Sequence, residues 1–219
     1  MRNKLLFAGI AVLAVAWLGP LPALAEEAFF GHMLMHMLVV AGAAPLVALG
    51  LAGGRWDLSQ RYPAVFAPIP ASVAELVLVW AWHAPALHHL ARMHGWGLVA
   101  EQGSFLAAGV WVWLSAFGGG GDRSRGRSAS GVVGLLLTSM HMTLLGALLA
   151  LASRPVYPHH TGYGGMSALE DQHLGGAVMI LIGASAYLVG GLWLTGDLLR
   201  RPKADDPAPS GATSETGPA

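Results

Sequence analysis

The chain of 219 residues contains no cysteine, and only 11% of its residues are charged. The absence of cysteine excludes disulfide bonds, thiolate metal sites and thiol nucleophiles. A soluble domain of this size usually carries about a quarter charged residues, whereas this chain is 54% hydrophobic with a mean hydropathy of +0.55. Twelve basic residues balance twelve acidic ones, so no charge excess points to a nucleic-acid partner. The composition predicts a polytopic protein in a lipid bilayer, with any metal held by histidine, methionine, carboxylate or backbone groups.

The N-terminal segment has the pattern of a secretory leader. Arg2 and Lys4 precede an apolar run from Leu5 to Leu24, and an Ala-Leu-Ala pattern at 23–25 is followed by two glutamates. Residues 1–25 are therefore interpreted as a cleaved signal peptide. The apolar run is also long enough to be an uncleaved signal anchor, which is the alternative.

Five further apolar stretches are each about 20 residues long, which is the length a helix needs to cross the hydrocarbon layer. They lie at approximately 30–51, 65–84, 97–117, 131–152 and 174–198, separated by short connections rich in glycine and proline. The predicted fold is an all-α membrane protein, a polytopic helical bundle of five mature transmembrane helices, or six with the leader. This bundle is assigned to residues 26–200, and the polar residues 201–219 are predicted to be a disordered cytoplasmic tail.

Lysine and arginine are distributed unequally between the two sides of this bundle. Ten of the twelve fall on one side, and only Arg92 and Arg154 fall on the other. Because cytoplasmic loops are enriched in basic residues, the ten mark the cytoplasmic side. The prediction is a multi-pass protein of the bacterial inner (cell) membrane, with the N terminus of the mature chain outside and the C terminus in the cytoplasm.

The ten histidines are predicted to lie within the spans or at the outer side, and none falls in an inner loop. His32 and His36 are four residues apart, so a helix stacks them on one face. His141 is placed near the middle of its span, roughly 15 Å from either end at the helical rise. Because an ionisable group inside a span is expensive, it marks a functional site by default.

Methionines and carboxylates accompany these histidines. Imidazole and thioether together suit Cu(I), although each methionine alone is also a common gap-filling residue. Glu101 and Asp171 are expected to orient imidazoles or accept their protons, and Glu75 is interpreted as structural because it lies farther from the histidines. The predicted metal-site residues are His32, His36, His83, His141, His173, Met33, Met37, Glu101 and Asp171, and no catalytic residue is predicted. The remaining loop histidines are expected to be exposed: His88, His89, His94, His159 and His160. For the loop that carries His88, His89 and His94, capture of metal from outside is the alternative.

Several stretches carry a resemblance to a known family. They are His32–Leu38 (HMLMHML) followed by APL at 44–46 and Gly50, WHAP at 82–85, Glu101, His141 with LG at 145–146, YP at 157–158, and LEDQHLGG at 169–176. In these stretches, between about residues 29 and 195, the chain resembles the CtaG family of integral-membrane cytochrome c oxidase assembly factors. Members of that family commonly have seven or so spans, so this chain is a short one.

The resemblance implies a compact helical bundle that helps to mature a haem-copper oxidase by holding or delivering copper. The expected partners are subunits of the oxidase or a periplasmic copper donor. The predicted mechanism is an outward-facing Cu(I) site built from His36 and His141 and helped by His32 and His83. Such a protein is a chaperone, and it is not expected to be an enzyme.

Three alternatives remain open at this point. A membrane cytochrome would ligate haem through paired histidines, either His36 with His141 or His83 with His173. A copper importer would use the same ligands. A metal-dependent hydrolase is disfavoured because the H-E-x-x-H motif is absent, since His32 and His36 enclose Met-Leu-Met.

Overall fold

The computed structural model describes residues 2–119, 125–157 and 162–200, and these ranges contain helices and no strand. The predicted all-α class is therefore confirmed. The helices are α1 (Arg2–Leu18), α2 (Leu21–Glu27), α3 (Phe29–Met37), α4 (Ala44–Leu51), α5 (Leu58–Arg61), α6 (Pro68–Trp82), α7 (Pro85–Met93), α8 (Gly95–Phe117), α9 (Arg125–Ala150) and α10 (Ala168–Arg200), with a π-helical turn (Leu38–Ala43) joining α3 to α4.

Three of the described helical segments combine the length and the apolar composition of a membrane span. They are Phe29–Leu51, which runs from α3 through α4, Gly126–Ala150 of α9, and Ala168–Arg200 of α10. α1 and α2 make a fourth if their 44° bend lies within one span, and α6 is apolar but has only 15 residues. The membrane bundle is thus confirmed, while the count of five mature spans stays a prediction.

Consecutive long helices of the chain run in opposite directions, and helices approach closely at glycines. A Cβ added to Gly9 of α1 would lie 2.8 Å from Val47 of α4, and one added to Gly146 of α9 would lie 2.8 Å from Ile180 of α10. Small residues permit this approach between helices in membranes. The alternation gives the bundle two ends. The histidine end contains the starts of α3, α8 and α10 and the ends of α6 and α9, and the arginine end contains Arg2, Arg55, Arg61 and Arg127.

A π-helical turn interrupts the α3–α4 span two residues after His36. In a straight α-helix the ring of Pro45 would clash with the carbonyl of Ala41, and Pro45 has no N–H to donate to it. The wider π turn accommodates this proline. Within the turn, the carbonyl of Val40 accepts a hydrogen bond of 3.0 Å from the indole of Trp113 in α8. The part of the span that carries the histidines is thereby tied to α8.

The N-terminal segment is packed into the bundle. α1 lies against α4, and α2 lies against α3. Ala16 is fully buried, and Ala25, the last residue of the Ala-Leu-Ala pattern, is also buried inside the helix α2. Leu24 contacts α3 at Gly31. The first two helices therefore pack on the bundle, while cleavage after residue 25 stays a prediction.

Candidate metal centre

Five buried ionisable side chains meet at the histidine end. His32 and His36 come from α3, His83 directly follows α6, His88 belongs to α7, and Glu101 lies in the second turn of α8. None of the five is more than 4% exposed. We call this group the histidine cluster. These side chains lie together because α3 and α8 begin at the end of the bundle where α6 ends.

The imidazole rings of the cluster are close neighbours. The ring centroids of His32 and His88 are 4.8 Å apart, and His83 lies 5.5 Å from His32 and 5.3 Å from His36. The rings of His32 and His36 are stacked with an interplanar angle of 7°, which confirms that their spacing places them on one helical face. One ligand atom each from His32, His88 and Glu101 lie within 4.8 Å of one another, a separation that a single metal ion can bridge.

His83 is held in one orientation by backbone contacts. Its Nδ1 lies 2.7 Å from the carbonyl oxygen of Val79, so Nδ1–H donates there and Nε2 keeps its lone pair. The hydroxyl of Tyr157 donates to the carbonyl of His83 at 2.7 Å, and its ring stacks on Phe29 at 4.5 Å. Burial raises the pKa of the Tyr157 phenol, which keeps this donor protonated.

Several polar atoms of the cluster have no hydrogen-bond partner among the described residues. These are both ring nitrogens of His32 and His36, Nε2 of His83 and Oε1 of Glu101. Buried polar atoms are nearly always hydrogen-bonded, and each orphaned one costs about 1–3 kcal/mol. Neutral imidazole nitrogens grouped in this way are ligands for copper or zinc. The donor set therefore fits a soft or borderline metal ion.

The negative charge of the cluster is already paired. The guanidinium of Arg92 donates to Glu101 Oε2, and Gln102 Nε2 donates to the same oxygen at 3.2 Å. His32 Nδ1 lies 3.7 Å from this carboxylate oxygen. His88 and Arg92 are four residues apart on α7, so this short helix contributes an imidazole and a cation from one face.

Asp171 is fully buried, but its carboxylate contacts backbone rather than imidazole. Its two oxygens accept hydrogen bonds from the N–H groups of Phe29 and Phe30 at 2.8 and 3.0 Å. These are the first two residues of α3, whose N–H groups have no partner within the helix. Asp171 of α10 therefore caps α3 and positions His32 and His36.

The two residues after Asp171 hydrogen-bond to the end of α9 and to the loop that follows it. Gln172 donates to the carbonyl of Leu149 at 3.1 Å and accepts from the N–H of Val156 at 2.6 Å. His173 Nε2 lies 2.9 Å from the carbonyl of Ala152. His173, predicted as a site residue, is thus placed on the loop after α9 and is not brought into the histidine cluster.

Met33 and Met37 pack on α10. A Cβ added to Gly175 would lie 3.1 Å from Met33 Cγ, and one added to Gly183 would lie 3.8 Å from Met37 Sδ. The two methionines are one residue after His32 and His36, which is about 100° around the helix. They therefore occupy the face next to the histidines and fill space beside glycines.

His141 is paired with Glu75 and lies within electrostatic range of His36. The distance from His141 Nε2 to Glu75 Oε2 is 4.0 Å, and both side chains are buried. Tyr187 donates to the other carboxylate oxygen of Glu75 at 3.4 Å. We call His141 and Glu75 the deep pair. Glu75 lies deeper than the histidine cluster, as expected. Its contact with His141 is not predictable from hydropathy, which gives the depth of a residue and not its rotation toward a neighbouring helix.

Two loop histidines also differ from expectation. His88 is 1% exposed, so its predicted exposure is wrong, because α7 is amphipathic and turns this residue toward α3. His89 is half-buried, and His94 is exposed as expected. The predictions for His159 and His160 fall outside the described residues.

The fold and the site define an α-helical membrane protein with a buried histidine centre near one end. A family model described as cytochrome c oxidase caa3 assembly factor (Caa3_CtaG) matches residues 2–201. The chain belongs to this family. No curated protein and no solved structure matches it.

Family membership confirms the resemblance seen in the sequence and makes the chain a cytochrome c oxidase assembly factor. That role implies interaction with the oxidase, and the apolar helices imply a lipid bilayer. Assembly factors of this family are not a class of catalytic enzymes.

Proposed function

We propose that this assembly factor holds Cu(I) at the histidine cluster and delivers it for maturation of a haem-copper oxidase. The observation that carries the proposal is the meeting of four buried imidazoles, two of them with both ring nitrogens unpartnered among the described residues. Imidazole is a ligand that copper accepts in either oxidation state. No other part of the described chain gathers as many potential metal ligands in one place.

The ligand types suit delivery rather than permanent storage. The chain has no thiolate, so copper is held by neutral imidazole, from which it exchanges to another imidazole site more readily than from a sulfur anion. Glu101 adds little net charge because Arg92 compensates it. Met33 and Met37 support the site from the neighbouring face of α3, where they pack on α10.

The packing of the cluster favours copper over haem. The rings of His36 and Phe105 lie 4.0 Å apart between centroids, and four imidazole pairs of the cluster have centroids 4.8–6.4 Å apart. A haem would need two axial ligands on opposite faces of a wide planar macrocycle. Phe105 packs against the rings of His36 and His83, and this close packing of the rings supports binding of a single ion rather than a macrocycle.

The charge distribution supports an outward-facing cluster in the bacterial inner membrane. Arg2, Arg55, Arg61 and Arg127 lie at the arginine end, which is then cytoplasmic. Arg92 is at the opposite end but is neutralised by Glu101, so it does not act as a free basic residue in that loop. The cluster then receives copper from a periplasmic donor.

The test is anaerobic Cu(I) loading of the purified protein in detergent, followed by copper quantification and an optical spectrum. In the double variant His32→Asn/His36→Asn, we expect the affinity of the cluster for Cu(I) to fall by at least ~100-fold. Changing residues that only orient the metal ligands already lowers metal affinity by up to about 100-fold, and here two ligands themselves are removed. The exposed His94→Asn is the matched control and should bind like the wild type. A Soret band, or a double variant that binds copper at this site like the wild type, would overturn the proposal.

A cellular measurement links copper binding to assembly. A strain lacking the protein is complemented with each variant, and the copper content and activity of the oxidase are measured in its membranes. The double variant should fail to restore both, and His94→Asn should restore both. Full restoration by a double variant that binds no copper would separate the assembly role from the metal.

A further inference from the structure

The deep pair lies farther into the bundle than the histidine cluster and shares only α6 with it among the described helices. Glu75 is about two helical turns, roughly 12 Å, below His83 on α6, and His141 is at a similar distance from the end of α9. Tyr187 contacts the pair from α10. Only α6 contributes to both sites, so the deep pair is a separate arrangement of buried groups.

The geometry of the deep pair is that of two metal ligands. A separation of 4.0 Å between His141 Nε2 and Glu75 Oε2 is too long for a hydrogen bond. Two ligand atoms that each lie about 2.0–2.2 Å from one ion are separated by roughly 3.3–4.4 Å, depending on the angle. Both ring nitrogens of His141 and Glu75 Oε2 have no hydrogen-bond partner among the described residues.

The negative charge of the Glu75 carboxylate also favours binding of a cation at the deep pair. Within the described ranges no lysine or arginine pairs with Glu75, whereas Glu101 is paired with Arg92. A carboxylate buried inside a span without a counter-ion is energetically costly. A monovalent ion bound between Glu75 and His141 forms a neutral unit, which suits Cu(I) better than a divalent ion at this depth.

Hydrogen bonds between the helices hold the two ligands in register. Thr138 Oγ1 donates to Ser72 Oγ at 2.9 Å, and both residues are buried. Each lies three residues before its member of the deep pair, so the bond joins α6 and α9 one helical turn below the pair. The hydroxyl of Tyr187 orients the carboxylate of Glu75 from the third helix.

We propose that Glu75 and His141 form a second Cu(I) site, distinct from the histidine cluster. The inference rests on the proposed function, because it takes Cu(I) as the ion that the protein handles. His36, a member of the histidine cluster, lies within electrostatic range of His141. One chain therefore binds two copper ions, one near the end of the bundle and one deeper within it.

The experiment is an anaerobic titration of the full-length, detergent-solubilised protein with Cu(I) buffered by bathocuproine disulfonate. The wild type should bind two ions per chain. Glu75→Gln and His141→Gln should each bind one, and the copper that remains should be lost when His32→Asn/His36→Asn is added. The cluster double variant alone should also bind one ion. Ser115→Ala, which removes a buried hydroxyl bonded only within α8, is the matched control and should keep two.

The outcomes separate the two proposals. If the wild type binds one ion that survives in Glu75→Gln and His141→Gln, the deep site is overturned while the histidine cluster stands. If the single ion is instead lost in these variants and kept in the cluster double variant, the deep site stands and the proposed function is overturned. Thermal unfolding in detergent identifies a variant that fails to fold. If Glu75→Gln fails to fold, His141→Gln serves as the test variant. Retention of two ions by a folded Glu75→Gln or His141→Gln protein contradicts the proposal.

Discussion

The histidine cluster and the deep pair solve the problem of buried charge in different ways. In the cluster, Arg92 on the short helix α7 neutralises Glu101, and the imidazoles come from residues at or near helix ends. In the deep pair, Glu75 faces His141 in the interior of two helices, and no arginine of the described ranges pairs with it. The carboxylate of the histidine cluster is thus neutralised by an arginine of the protein, whereas in our proposal the carboxylate of the deep pair is neutralised by a bound cation.

Loss of the Asp171 cap on α3 should weaken copper binding at the cluster more than the other changes proposed below, and it should leave the deep pair intact. In Asp171→Asn, the amide cannot accept two charge-assisted hydrogen bonds from Phe29 and Phe30 as the carboxylate does. We expect a loss of about 1–3 kcal/mol in stability and a roughly 10- to 100-fold weaker cluster site. Thermal unfolding and Cu(I) titration measure these effects.

Glu170→Gln is the matched control for this change, because Glu170 is the exposed neighbour whose carboxylate accepts hydrogen bonds from Ser167. It should leave copper binding unchanged. An Asp171→Asn variant with wild-type affinity at the cluster would show that the cap does not position His32 and His36.

Replacing Arg92 would make the cluster electrostatically similar to the deep pair. In Arg92→Gln, Glu101 loses its counter-ion and becomes available to an incoming cation. We expect Cu(I) to bind the cluster about tenfold more tightly, equivalent to ~1.4 kcal/mol, and the unfolding temperature to fall because a buried carboxylate is left unpaired. Competition titrations against a Cu(I) chelator give the affinity.

Arg154→Gln is the control, since Arg154 is an exposed arginine at the same end of the bundle. It should bind copper as the wild type does. Weaker binding by Arg92→Gln would mean that Arg92 positions the cluster rather than competing with the metal.

The N-terminal helix is expected to support the cluster weakly and the deep pair not at all. The indole of Trp17 lies 3.4 Å from Gln102 Oε1, and Gln102 in turn donates to Glu101. Because this is a long hydrogen bond, Trp17→Phe should weaken the cluster by no more than about threefold, or ~0.6 kcal/mol. The deep site should be unchanged in the same titration.

The same packing predicts that α1 is retained. Intact-mass measurement of the protein from membranes should give about 22.7 kDa, the mass of the whole chain. A chain that begins at Glu26 would contradict this prediction and would restore the cleaved signal peptide.

The sequence predicts the helical membrane bundle, the alternating direction of its helices and the shared face of His32 and His36. These follow from hydropathy and from the helical period, which are local properties. The spacing also allows the placement of Met33 and Met37 to be predicted, because they lie about 100° around the helix from the histidines.

Contacts that depend on the rotation of one helix against another are not predictable in this way. His88 and Arg92 reach the cluster only because α7 folds back onto the bundle after Pro85. Glu75 meets His141 because α6 and α9 are held by Ser72 and Thr138, a pairing that neither segment specifies alone. The amphipathic pattern of α7 was the available indication that His88 is buried.

Copper K-edge X-ray absorption of the Glu75→Gln variant loaded with one equivalent of Cu(I) tests the central claim most directly. This variant leaves the histidine cluster as the copper site. We predict a first shell of nitrogen scatterers with the outer-shell pattern of imidazole, lost in His32→Asn/His36→Asn. A shell dominated by sulfur would place the copper on methionines instead, and failure to retain any copper would contradict a metal site at the histidine cluster.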